Sequence, residues 1–146
     1  MKRLTAFAVA GFLALVTLLA ATPAYADEGP FVLRNYHTRY CLATDASGAV
    51  YTETCSNETW TLVYQDTTNT FQIRHTATGQ CVAEGAAGAV SSQPCTMSNN
   101  QRWGVRVNPY YRTIMFKGYL TDRYLAADAS HRVSTTIGGN IGWLTS

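Results

Sequence analysis

The sequence predicts an all-β domain assembled from three related units around one shared core. Three observations carry that prediction: a segment recurring at steps of 40 and 43 residues, strand-like apolar patterning broken at close intervals by turn residues, and four cysteines in two equally spaced pairs. The recurrence shows first in residues 48–55 (GAVYTETC) and 88–95 (GAVSSQPC), which share Gly-Ala-Val, four residues and Cys.

The flanks agree as well. When residues 31–60 are laid over 71–103, Phe31 meets Phe71, Arg34 meets Arg74, and Cys41-Leu42-Ala43 meets Cys81-Val82-Ala83. Trp60 meets Trp103 after a short insertion. A third copy occupies residues 114–143, with Tyr124-Leu125-Ala126 in the Cys-Leu-Ala place, Val133 in the place of Val50 and Val90, Gly138 in that of the second cysteine, and Trp143 in that of the tryptophan. The units span about 31–65, 71–107 and 114–146. Each opens on a strand-like run (FVLRN, FQIRH, IMFKG), and no segment beyond the first 26 residues carries a helical stripe over three turns. A unit this short cannot bury its apolar face alone. Three about an axis can share one core, and closing the sheet removes most of its edges. The tryptophans, one at the end of each unit, are expected in that core rather than as exposed sugar platforms.

The N-terminus reads separately. Lys2 and Arg3 precede an unbroken apolar run over residues 4–20, and Ala24-Tyr25-Ala26 is a small-x-small cleavage pattern. Residues 1–26 are therefore expected to be a secretory signal peptide, and 27–146 a mature, extracellular domain with no membrane span. An uncleaved anchor is the rival, but the run is short for a full crossing. Without the leader, nine basic residues stand against nine acidic ones. That balance offers no electrostatic footprint for nucleic acid. Cys41, Cys55, Cys81 and Cys95 are separated by 14, 26 and 14 residues. An even count behind a leader reads as disulfides, and the spacing suits local loops Cys41–Cys55 and Cys81–Cys95. The third unit lacks both cysteines together, which favours the same pairing. Zinc is the rival, but structural sites want ligands two to four residues apart.

These units resemble the ricin-type lectin repeat: a Cys-Leu start, a Gly-x-Val turn, a second Cys, and an ending in Asn, Gln, any residue, Trp. The resemblance covers roughly residues 31–146 and implies a β-trefoil. GAVYT and NNQRW are similar to actinohivin-type bacterial lectins. It further implies one shallow sugar site per unit, built from an Asp two residues after the first Cys, a stacking aromatic, and an Asn three residues before the Trp. The asparagine is present throughout as Asn57, Asn100 and Asn140, and the motif's glutamine once, as Gln101. The carboxylate position holds Ala43, Ala83 and Ala126, with Asp45 and Asp128 two residues further on and Gly85 between them in the middle unit. Along an extended chain that step keeps the face but moves the carboxylate about 7 Å. The aromatic position of galactose-binding members holds Glu53, Gln93 and Thr136. That of actinohivin-like members holds Tyr51, Ser91 and Ser134. The first unit alone combines Asp45, Tyr51 and Asn57, so it is expected to be the most competent.

Each candidate has a structural alternative. Asp45 and Asp128 sit in turn-like stretches where an Asx-turn is equally natural. The asparagines suit turns, and Tyr51 could lie on a neighbouring strand. His37, His75 and His131 do not line up or pair with a nucleophile motif, and no phosphate loop, zinc-protease or nucleophile-elbow pattern is present. No enzyme activity and no cofactor are expected. Two functions remain: a secreted lectin that binds glycans or polysaccharide through shallow, partly degenerate sites, and a trefoil without sugar sites that binds a protein, as a toxin accessory subunit or an inhibitor would.

Overall fold

The computed structural model describes residues 26–146. The expected signal peptide, apart from Ala26, lies outside the described residues. Among these, thirteen strands and two short 3-10 turns follow one another: β1 (Glu28–Phe31), β2 (Leu33–Asn35), β3 (Cys41–Thr44), β4 (Val50–Glu53), β5 (Trp60–Gln65), β6 (Thr70–His75), β7 (Gln80–Glu84), β8 (Val90–Pro94), β9 (Trp103–Asn108), β10 (Thr113–Gly118), β11 (Tyr124–Ala127), β12 (Val133–Thr136) and β13 (Trp143–Thr145), with the turns at Ala86–Gly88 and Asn99–Gln101. Hydrogen-bonded neighbours run β1-β5-β6-β9-β10-β13-β2. Only Val32 separates β1 from β2, so the path returns to the segment where it began. From this ring rise three hairpins, β3–β4, β7–β8 and β11–β12, one per unit. The fold is an all-β trefoil.

The pairing registers reproduce the sequence repeat residue for residue. Cys41 faces Glu53, Cys81 faces Gln93 and Tyr124 faces Thr136, with Ala43–Tyr51, Ala83–Ser91 and Ala126–Ser134 two residues on. Around the ring Phe31 faces Trp60, Phe71 faces Trp103 and Ile114 faces Trp143. The core is layered by threes: Leu33, Ile73 and Phe116; Leu42, Val82 and Leu125; and the three tryptophans, each 0% exposed. Each indole N–H, which burial would otherwise leave unpaired, donates to a carbonyl of its own unit: Trp60 to Leu42 (3.1 Å), Trp103 to Val82 (3.0 Å) and Trp143 to Leu125 (3.0 Å). The disulfides are Cys41–Cys55 and Cys81–Cys95, as the spacing predicts.

The recurring Gly-Ala-Val has its cause here. The hairpin tips interlock around the axis: Ala49 bridges Ser91, Ala89 bridges Ser134, and Tyr51 bridges Arg132. Gly48 and Gly88 carry positive φ (84° and 83°), and a β-carbon on either would stand 2.6 or 2.7 Å from the carbonyl oxygen of Ser92 or Thr135 on the next unit. At these two tips a side chain would meet that oxygen, so glycine is required there.

Candidate functional site

The tip residues are where the predicted carboxylates fall. Asp45 ends the extended run of β3 and folds back on its own turn, its Oδ1 accepting from the Ser47 N–H (2.9 Å), the Ser47 hydroxyl and the Ala49 N–H (3.1 Å). Those donors, the Ser47 hydroxyl first, hold its carboxyl below the usual value of 3.8. Its Oδ2 keeps no hydrogen bond among the described residues. Asp128 builds the same turn in the third unit, Oδ1 accepting from the N–H groups of Ser130 (2.8 Å) and Arg132 (3.0 Å). Its Oδ2 is also engaged, forked by the Arg132 guanidinium at 2.9 and 2.8 Å. Both carboxylates are thus Asx-turn staples, and only Asp45 has an oxygen to spare. Ala43, Ala83 and Ala126 are buried beneath, so the standard carboxylate position offers no polar atom.

Around Tyr51 the first unit assembles an acidic, aromatic surface. The ring is half-buried. Its phenol is pushed above the ordinary tyrosine value by burial first and then by the charges of Glu53, Glu58 and Asp45. Glu58 holds its place by accepting the Thr44 N–H at 3.1 Å and lies 3.9 Å from His75 Nε2. Asn57 is exposed and lines, with Glu58, His75 and Thr76, a groove of about 480 Å³ between the first and second units. Asp45 and Tyr51 do not line that groove, so Glu58 is the link between the two halves of the site. Glu58 stands at the glutamine position of the family motif, and the sequence candidates leave it out because the motif gives that position to an amide.

In the third unit Asp128 and Asn140 line one depression of about 270 Å³, together with Ser134 and Thr136. Its hydroxyls and amide can pair with sugar hydroxyls, while its carboxylate is already committed to Arg132. In the middle unit Asn100 is half-buried in the Asn99–Gln101 turn, and Gln101 is 1% exposed. The Gln101 amide is spent internally: Oε1 accepts the Thr96 N–H (2.7 Å) and Nε2 donates to the Pro94 carbonyl (2.9 Å). A ligand could reach Gln101 only by opening that turn. Among the described residues no group of three or more His, Cys, Asp or Glu is placed to hold a metal, and no helix is long and apolar enough to cross a membrane.

A family model, that of the cytolethal distending toxin A/C domain, matches residues 20–112, more than half of the chain. The chain belongs to the cytolethal distending toxin A/C domain family. No curated protein matches it. The matched span holds the first two units and the two disulfides, whereas the third unit lies beyond it. The toxin A/C domain has a ricin-B-like lectin fold, so the resemblance read from the repeats holds at that level. The match does not extend to actinohivin-type lectins in particular.

Proposed function

We propose that this chain is a lectin-like toxin subunit: a non-catalytic, exported module that attaches a toxin assembly to a surface by holding neutral glycan at its first unit. The observation that carries the reading is the setting of the half-buried Tyr51: it faces Ala43 in the β3–β4 hairpin that also bears Glu53, with Asp45 in the tip turn and Glu58 held on the Thr44 N–H. An aromatic face suits the C–H face of a sugar ring, and carboxylate oxygens accept from sugar hydroxyls in charge-assisted bonds. Asn57, with both donor and acceptor on one exposed amide, supplies a further contact beside Glu58. The third-unit depression, with Asn140 and Asp128, is a weaker second site, and Asn100 with Gln101 the weakest. Several weak sites on one rigid body gain strength by simultaneous engagement.

A second reading has its own support. The buried alanines and the Asp128–Arg132 fork remove what the lectin repeat uses for sugar, and the family is one of toxin subunits. On that reading the hairpin face binds protein. A glycan array probed with residues 27–146 tests both. Binding to neutral glycans that Tyr51→Ala abolishes, with an unchanged thermal midpoint, supports the first. Silence across the array transfers the function to a protein partner.

A further inference from the structure

The groove between the third and first units differs in chemistry from the one that holds Asn57. The loop joining β9 to β10 carries Tyr110 and Tyr111 at its tip, 83% and 48% exposed, where the corresponding β5–β6 loop has only Asp66, Thr67, Thr68 and Asn69. Nothing in the trefoil requires aromatics at that tip, as the β5–β6 loop shows. Yet they are rigidly placed: Asn108 Oδ1 accepts the N–H groups of Tyr110 (3.1 Å) and Tyr111 (3.3 Å), and the two rings meet edge to face at 4.7 Å. Tyr111 then reaches across the unit boundary to Tyr36, 5.3 Å away, whose ring lies under the Arg39 guanidinium at 5.0 Å. Tyr36, His37 and Tyr111 line a groove of about 210 Å³, with Met115 and Ile141 as apolar lining and no carboxylate among its lining residues. Arg39 makes no ion pair among the described residues. A guanidinium lying over a ring keeps its N–H edge available, and that fork fits a carboxylate.

We propose that this groove, with Arg39 and Tyr110 joined to it through Tyr36 and Tyr111 rather than lining it, is a saccharide site separate from those of the lectin repeat, specific for a sugar that bears a carboxylate. The tyrosines cover the apolar face of the pyranose ring and Arg39 takes the carboxylate, with the exposed His37 at the same rim. The acidic surface around Tyr51 would repel such a sugar, so the two sites sort ligands by charge.

The test titrates residues 27–146 with 3′-sialyllactose and, in parallel, with lactose, following the tyrosine ring resonances by NMR. The expected result is that sialyllactose shifts Tyr110 and Tyr111, that lactose does not, and that raising NaCl from about 50 to 300 mM weakens binding severalfold. Arg39→Gln is expected to lower the affinity at least tenfold. Tyr110→Ala, at an exposed position that leaves the fold intact, lowers it comparably, and Tyr51→Ala leaves it unchanged. Equal response to the two sugars, no response to sialyllactose, or loss of binding in Tyr51→Ala but not in Arg39→Gln would each overturn the proposal. The last of these would return acidic sugars to the first unit without touching the lectin reading itself.

Discussion

The first and third hairpin tips make the same backbone contact by different means. In the first unit Gly48 closes on the second, its carbonyl accepting the Ser92 N–H at 2.8 Å. In the third, His131 stands in the glycine's place, with φ 66°, and its carbonyl accepts the Thr52 N–H at 2.9 Å. The imidazole adds contacts that a glycine lacks: it packs on Tyr40, ring centroids 4.2 Å apart, and Nδ1 lies 2.8 Å from the Thr52 carbonyl. A carbonyl can only accept, so Nδ1 carries the proton. The third unit is also the one without a disulfide, and its tip turn carries an Asp128–Arg132 pair that the first tip lacks. A threefold fold thus fixes backbone geometry at three places and leaves each side chain free to find its own solution. The tip without a glycine has side-chain contacts to its neighbour in its place.

The largest test of that picture concerns what the units share. Trp60→Ala and Trp143→Ala should each cost about 3–5 kcal/mol in denaturant unfolding, because both remove a fully buried indole and strand a carbonyl. A much smaller cost in the third unit would mean that the core is not symmetric. Next, replacing Cys41 and Cys55 by serine should cost about 3 kcal/mol, on the loop-entropy account of a 14-residue ring. A loss near zero would show that the cystine is dispensable where the third unit already does without one.

The fold was legible because its determinants are local and periodic. Cysteine spacing, the closing tryptophan and the Gly-x-Val tip each recur once per unit or leave a recognisable substitute. Even the replacement of Gly48 and Gly88 by His131 lies in the alignment, seven residues past the Cys-Leu-Ala start. The site was less legible because its parts are set by what side chains already touch. Nothing in DASHR announces that Arg132 consumes both ends of Asp128, and nothing in NNQRW announces that Gln101 turns inward. The grooves join residues from different units, Asn57 with His75 and Tyr36 with Tyr111, which no single repeat contains.

Smaller effects separate the tips themselves. Gly88→Ala should cost about 2 kcal/mol, since its β-carbon would press on the Thr135 carbonyl and the left-handed φ disfavours a side chain. His131→Gly should change stability by no more than about 1 kcal/mol, the lost Nδ1 hydrogen bond being offset by relief of the same positive φ. Thermal unfolding of the two variants side by side checks the contrast. If His131→Gly proves the more damaging, the imidazole is what joins the third unit to the first.

Acid should discriminate between the tips most gently. Asp45 and Asp128 both titrate below the ordinary 3.8, Asp45 through the Ser47 hydroxyl and Asp128 chiefly through the Arg132 N–H. A carboxyl with its folded value lowered contributes stability that is complete above the unfolded value and is lost as pH falls through the folded one. Both turns should therefore hold from neutrality to about pH 4 and loosen below it. Protonation leaves the first tip with its glycine contact to Ser92 and its unit with the cystine. The third tip loses the Arg132 fork, and its unit has no cystine to fall back on. In an NMR titration from pH 7 to pH 2, the Thr52 amide, which reports the third tip, should shift more than the Ser92 amide, which reports the first. Asp128→Ala should abolish the excess at Thr52. Equal movement of both amides would mean that the fork is a surface pairing without structural effect, and that His131 alone secures the third hairpin.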